Sequence, residues 1–445
     1  MSSADLFVIG SSGLKGYRAQ MGAISENIAN AGTPNYNRRT VTLAESGLSA
    51  QSDPLSVPRA NFGGSEIVGV NRANDPYLDA TTRLTGSALG NASSRLKWLT
   101  DIETSISDDS RGVGGSLATL YSGITKLAAS PADPSLRTNV IYGVQQVVSA
   151  FQQSASSLQQ TQTSMAATAQ SDATLVNDSL TELARINASL LRSQPGTSNQ
   201  AQLLDSRDAE LAIISQKLNV NISFGPIGSA IVDYNGTSLL LGQTVATVST
   251  TQNANGTLNL LLNGSATATP ADGSLGGTFQ SATIASQRMA SLDTLAVQFA
   301  TDINGWHTQG FTDAGTAGGS LVSVGTTAAS LATVITSTSQ IAAKSASGVL
   351  NGNLLNIASI RGPASVEQGW TALVVAHGNI LNTVTQEQSA SQTRDDNARA
   401  ARDQVSGVDL DVEAADLIRT QQAYQACARV IQAARDTIDS ILRIT

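Results

Sequence analysis

A mainly α protein with a small β domain is the fold class this sequence predicts: terminal helices forming a coiled coil, an elongated discontinuous helical domain, and an inserted β-rich domain. Three observations predict it. Apolar residues recur every seven positions at both ends of the chain. A stretch from Pro134 to Pro195 has no internal proline and a single glycine, Gly143. Between residues 218 and 281, Asn-Gly pairs punctuate short β-prone runs. Uninterrupted heptad or helical spacing favours helices, and tight Asn-Gly turns favour hairpins.

The first helix is marked by Phe7, Leu14, Met21 and Ile28, seven apart, each followed three residues later by Gly10, Tyr17, Ile24 and Ala31. This is an amphipathic pattern with a heptad seam. Gly32 and then Pro34 end it, as a glycine past the last turn and a following proline should. The segment also holds Gly10, Gly13, Gly16 and Gly22, each costing about 1 kcal/mol relative to alanine in a helix interior. Alone it is a marginal helix, so its order must come from packing on other helices.

A Gly- and Pro-punctuated extended stretch follows over 35–76. Leu96, Leu99, Ile102 and Ile106 then mark one helix, and Leu117, Leu120, Tyr121, Ile124 and Leu127 another. After Pro134, Val144, Phe151, Leu158 and Met165 repeat every seven. A continuous helix to Pro195 would reach about 90 Å at 1.5 Å per residue, the dimension of a rod-like domain. Asn235-Gly236, Asn255-Gly256 and Asn263-Gly264 lie among Ile231-Val232, Ser238 to Leu241 and Leu258 to Leu262, the pattern of hairpins with primed turns. Helical spacing returns at Leu292, Leu295, Phe299 and Ile303, and, past a Gly-, Thr- and Ser-rich stretch of about 310–360, at Val366, Trp370, Leu373, Val374, Leu381 and Val384.

The last helix carries Leu410, Leu417, Tyr424, Ile431 and Ile438, again seven apart, with Ala414, Ala428 and Leu442 four residues on from three of them. Asp409, Asp411, Glu413 and Asp416 crowd its start and Arg419, Arg429, Arg435 and Arg443 come later, which complements the helix dipole. The expected organisation is therefore 1–50 with 405–445 as a terminal coiled-coil assembly domain, 51–217 with 282–404 as the elongated helical domain, and 218–281 as a β-rich outer domain.

Composition narrows the function. With 26 Lys plus Arg against 34 Asp plus Glu, a formal charge of −8 and no basic run, the chain is not built to neutralise nucleic-acid phosphates. It lacks an apolar stretch long enough to span a bilayer, and its first residues lack the basic and apolar blocks of a cleavable signal; export, if it occurs, uses another route. One cysteine, Cys427, excludes an internal disulfide and a Cys-based zinc site. The two histidines, His307 and His377, read as structural: His377 shares an apolar face with Trp370, Val374 and Leu381, and His307 has no acid constellation beside it. Gly112-Val113-Gly114-Gly115 has no preceding strand and no following Lys-Ser/Thr for a phosphate loop, and Asp108-Asp109 lacks calcium-loop spacing. The expectation is a non-enzymatic protein with no cofactor and no metal.

The run Asn27-Ile28-Ala29-Asn30-Ala31-Gly32-Thr33-Pro34-Asn35-Tyr36-Asn37-Arg38 closely resembles the N-terminal signature of bacterial flagellar axial proteins of the rod, hook and hook-associated group. Ser406-Gly407-Val408-Asp409-Leu410-Asp411-Val412-Glu413-Ala414, with Gln421 to Ala426 and Arg429 to Ile431, is similar to the matching C-terminal end. The Gly-Val-Asp-Leu-Asp-x-Glu-Ala form is most similar to the hook–filament junction branch. Asp75-Pro76-Tyr77-Leu78, Leu127 to Pro131, Leu204-Asp205-Ser206-Arg207-Asp208 and Ile303 to Gly310 resemble that branch's helical domain in the right order. The likeness is weak over the β region and past residue 310, and the chain is shorter than many members, which implies a reduced or absent outer domain.

The resemblance implies a secreted structural adaptor, exported by the flagellar type III system and assembled as a homo-oligomeric ring between hook and filament. Its implied partners are the hook protein, the next hook-associated protein on the filament side, and a cytoplasmic export chaperone covering Leu417, Tyr424, Ile431 and Ile438. The coiled coil would rest on Phe7, Leu14, Tyr17, Met21, Ile24, Ile28, Leu410, Leu417, Tyr424, Ile431 and Ile438, with Asn27, Asn30, Pro34, Asn35 and Tyr36 at the turn leaving it. A hook or rod subunit of the same group is the nearest alternative. A surface adhesin or wall-active hydrolase would account for the polar β segment but not for two matched terminal seams.

Overall fold

The computed structural model describes residues 3–33, 35–46 and 63–442. In chain order these form α1 (Ser3–Asn30), the ribbon β1 (Arg39–Glu45) and β2 (Ser65–Arg72), α2 (Pro76–Ser105), α3 (Val113–Ala129), α4 (Pro134–Leu190) and α5 (Ser198–Lys217). Strands β3 (Asn221–Phe224), β4 (Ala230–Tyr234), β5 (Thr237–Leu241), β6 (Thr244–Val245), β7 (Val248–Gln252), β8 (Leu258–Leu262) and β9 (Ser265–Ala266) precede α6 (Gly273–Thr308). Short pieces follow, β10 (Val322–Ser323), β11 (Ala332–Thr333) and α7 (Gly352–Leu355), then α8 (Val366–Ser406) and α9 (Leu410–Leu442). The class is mainly α with small separate sheets, and among the described residues no helix is long and apolar enough to cross a membrane. Of the extended stretch, 35–46 and 63–76 are described; 47–62, like Pro34 and Arg443, lie outside the described residues.

Two compact units share these elements: Met1–Gly86 with Val176–Ala246 and Thr393–Thr445, and Ser87–Leu175 with Thr247–Gln392. The expected β-rich domain at 218–281 is thus divided. Strands β3 to β6 form one antiparallel sheet in the first unit and β7 to β9 another in the second, while Gly273 to Ser281 already belong to α6. Each sheet is fastened to its own stretch of α4 by amide side chains. In the first unit the Asn187 side chain donates to Ala230 O at 2.8 Å and to Gly242 O at 3.2 Å, and its Oδ1 accepts from Ala230 N at 2.8 Å. In the second, Gln170 Oε1 accepts from Thr250 N at 3.3 Å and Gln252 Nε2 donates to Gln162 O at 3.2 Å.

The turn chemistry explains the hairpins. Asn235-Gly236 (φ 46° and 78°) and Asn263-Gly264 (φ 49° and 80°) are two-residue loops closing Tyr234↔Thr237 and Leu262↔Ser265. Both residues lie in the left-handed region, which Asn and Gly tolerate and the primed turn requires. Asn255-Gly256 differs: only Gly256 has positive φ, and the loop spans the five residues between Gln252 and Leu258.

In the second unit, α2, α3, α4, α6 and α8 enclose an apolar core in which Leu99, Ile102, Leu117, Leu120, Ile124 and Phe151 are fully buried. Each such side chain contributes about 1.5–3 kcal/mol. Phe151 of α4 stacks on Phe299 of α6 at 6.0 Å. The buried indoles have partners: Trp370 Nε1 donates to Asp108 Oδ1 at 2.7 Å, and Trp306 Nε1 to Asn353 O at 3.0 Å. The irregular 310–353 segment is held by the last turns of α6. Asn304 Oδ1 accepts from Leu321 N at 2.7 Å, the His307 ring bonds Gly319 O through Nδ1 at 2.7 Å, and its Nε2 accepts from Ala342 N at 2.9 Å.

Candidate assembly site

In the first unit, α1 lies along α9 and against β1. Gly10 meets Ile431, Gly13 meets Cys427 and Asn27 meets Glu413. Position numbers fall in α9 as they rise in α1, so the helices are antiparallel. The glycines are what let them approach. A Cβ on Gly13 would stand 2.8 Å from Cys427 Sγ, one on Gly10 2.6 Å from Ile431 Cγ1, and one on Gly16 3.0 Å from Leu43 Cδ1. The expectation that these residues only weaken α1 is therefore incomplete: three of the four are buried contact points, and Gly22 alone of them faces open space.

Of the expected seam, Ile24 is buried and Leu14, Tyr17, Met21, Ile28, Leu417, Tyr424 and Ile431 are part-buried. Phe7 at 50%, Leu410 at 52% and Ile438 at 36% exposure lie outside the pair's interior. In α9 the inward companions stand three residues on, not four: Glu413, Thr420, Cys427 and Ala434 face in, and Ala414 and Ala428 face solvent. Small and polar identities at those positions hide this side of the seam from a reading based on apolar spacing.

At the base of the pair three distant motifs converge on a polar node. Asn27, fully buried, donates through Nδ2 to Arg39 O at 2.9 Å and to Glu413 Oε2 at 3.1 Å; its Oδ1 accepts from Tyr36 OH and from Arg39 N, both at 2.9 Å. Glu413, also fully buried, takes a second donor from Arg38 Nε at 2.5 Å. Arg38 Nη2 reaches Asp416 at 3.5 Å. Arg39 bridges Glu26 at 2.7 Å and Asp205 at 2.9 Å. Asp205 also accepts from Arg72 at 2.8 Å and Asn37 at 2.8 Å, and Arg72 continues to Asp208 at 2.7 Å. Arg207 donates to Gly228 O at 2.5 Å and lies over the Phe224 ring at 4.3 Å.

The node's electrostatics follow from burial. Desolvation pushes the Tyr36 hydroxyl up to about 12, against the nearby Arg39 charge, so Tyr36 stays a donor. Burial works against the Arg39 charge, but the hydrogen bonds to Asp205 and Glu26 together with the nearby Tyr36 and Asp205 hold its pKa above the ordinary value. The turn residues have local tasks. Asn30 donates to Glu26 O at 2.9 Å, and Asn35 sits at φ 61° with its Oδ1 accepting from Arg402 at 3.1 Å. Pro34 lies outside the described residues. Arg39, Arg72 and Asp205 join the node although neither apolar spacing nor turn chemistry marks them. Their signal was the crowding of charge into short motifs in a chain only 13% charged.

This arrangement joins segments distant in sequence through buried hydrogen bonds and ion pairs. Among the described residues no group of three or more His, Cys, Asp or Glu is placed to hold a metal ion. A family model described as the flagellar hook-associated protein FlgK helical domain matches residues 99–322, half of the chain. The chain belongs to that hook-associated FlgK family. A second model, the flagellar basal body rod FlgEFG protein C-terminal region, matches 402–444, a stretch that takes in the end of α8 and all of α9. The chain is 25% identical to flagellar hook-associated protein 1 of Salmonella typhimurium over 71% of its own length and 58% of that protein, so it spans under two thirds of that relative. It is 24% identical to the protein of the same name from Bacillus subtilis, covering 96% of both. A solved structure, the flagellar hook junction protein FlgK from Burkholderia pseudomallei, aligns with 56% of this chain and 47% of its own at 23% identity and a TM-score of 0.49.

Proposed function

We propose that the chain is a structural, non-enzymatic subunit of the bacterial flagellum, exported by the flagellar type III system and assembled as a homo-oligomeric ring that joins hook to filament. The observation that carries this reading is the family match over 99–322, and the meeting of the N-terminal signature with the Glu413 motif supports it. In this reading 1–50 with 405–445 is the assembly domain. Its neighbours are further copies of the chain, the hook protein and the next hook-associated protein. Before export, a cytoplasmic chaperone covers Leu417, Tyr424, Ile431 and Ile438.

The C-terminal match to rod proteins favours one other reading, a hook or rod subunit of the same group. The two differ in what fails when assembly is blocked. Replacing Leu417 and Ile431, both part-buried on α9, by Asp places unpaired charge on the helix-pair face. The expected result is hooks of normal length without filaments, with the second unit still folded by circular dichroism. Missing or shortened hooks would favour the rod or hook reading, and normal filaments would refute the role of α9.

A further inference from the structure

Among the described residues of α1 and α9, Glu413 is the charged side chain that is fully buried. Seven, fourteen and twenty-one positions on, the same face of α9 presents Thr420, Cys427 and Ala434. Those three are small and uncharged, and such side chains fit a facing helix in more than one alignment. Across from them, Gly13 accepts Cys427, and a small residue one heptad away would fit the same gap. Apolar and small layers thus permit slippage, whereas a buried carboxylate does not: outside one alignment it loses Asn27 Nδ2 at 3.1 Å and Arg38 Nε at 2.5 Å. A buried polar residue that is satisfied in one register only is the best-attested way for a helix pair to fix that register.

We propose that the Asn27–Glu413 pair sets the register of α1 on α9. Asn27 suits the task because its remaining bonds are local. The carboxamide caps Arg39 N and O at 2.9 Å each and accepts from Tyr36 OH, so its position is fixed before α9 arrives. Glu413 then finds a pre-aimed N–H. Asn27 and Glu413 are positioning residues, and the role holds whichever axial assembly the chain enters.

The natural cysteine makes the register readable. A Cβ on residue 13 would lie 3.8 Å from Cys427 Cβ, the usual separation across a disulfide. G13C therefore reports the native register, while L6C and Q20C, one heptad to either side, report slipped ones; the packing cost of a side chain at residue 13 is common to every background and cancels when backgrounds are compared. Each is placed in the full-length chain, oxidised with glutathione disulfide at high dilution, and the intramolecular cross-link to Cys427 is quantified by peptide mass mapping. The background is native, E413Q or E413M. Gln keeps an acceptor for Asn27, and Met keeps the volume but removes it, leaving Arg38 its Asp416 contact.

The expected result is a 13–427 cross-link dominating in the native and E413Q backgrounds, with its excess over 6–427 and 20–427 falling by about ten-fold in E413M. An E413M chain that keeps the native preference would overturn the proposal and assign the register to the Gly10–Ile431 fit or to the chain connection before α9. Loss of all three cross-links in E413M would overturn it too, since the pair would then be needed for the helices to associate at all.

Discussion

Gly13 and Gly22 sit in the same helix yet answer mutation with opposite signs. Gly22 is exposed with nothing near its missing Cβ, so G22A should stabilise α1 by about 0.5–1 kcal/mol through propensity alone. Gly13 has Cys427 Sγ 2.8 Å from that position, so G13A should destabilise the helix pair by about 1–3 kcal/mol through overpacking. Amide exchange along α1 separates the two; equal gains in protection would contradict the close-packed contact. At the node, Asp205 holds two guanidinium groups whose side chains are 8% and 5% exposed, those of Arg39 and Arg72. D205A leaves both short of a partner and should cost about 3 kcal/mol, read by urea unfolding. Each glycine's propensity is legible in the sequence because it belongs to the residue. The contact is not legible there, because the partner Cys427 stands over four hundred positions away.

Single elements show where spacing is legible and where it is not. The helix from Pro134 and the two Asn-Gly turns at 235 and 263 follow from local chemistry and stand as the sequence predicts. The inner face of α9 does not, because Glu413, Thr420 and Cys427 carry no apolar signal. The 310–353 segment is harder still. Its order rests on α6 side chains, Asn304, Trp306 and His307, inside a run already visible as a motif.

His307 sharpens this into a pH prediction. Its Nε2 accepts from Ala342 N, so Nδ1 carries the proton and donates to Gly319 O. Burial lowers the pKa of His307, and burial likewise lowers that of His377, whose Nε2 bonds Leu99 O at 2.8 Å. With folded values below unfolded ones, the unfolded state takes up protons first as pH falls through about 6.5. Stability of the second unit should then decline by at most about 1.4 kcal/mol per pH unit for each histidine. Urea midpoints between pH 7.5 and 5.5 test this; a flat profile would contradict the neutral, locked rings.

The family match covers the middle of the chain, α3 to α6 with the strands between them, and the two terminal helices, far apart in sequence, pack on each other in the first unit. Heptads at both ends foretold that pairing. The division of the β segment between two units was not foretold, since a run of hairpin signals does not reveal which sheet a strand will join. The central claim concerns place. Immunogold electron microscopy of intact cells, with antibody raised against residues 134–195, tests it most directly. The account predicts label confined to a short band at the outer end of the hook. Label along the hook or rod, or spread over the cell surface, would contradict it.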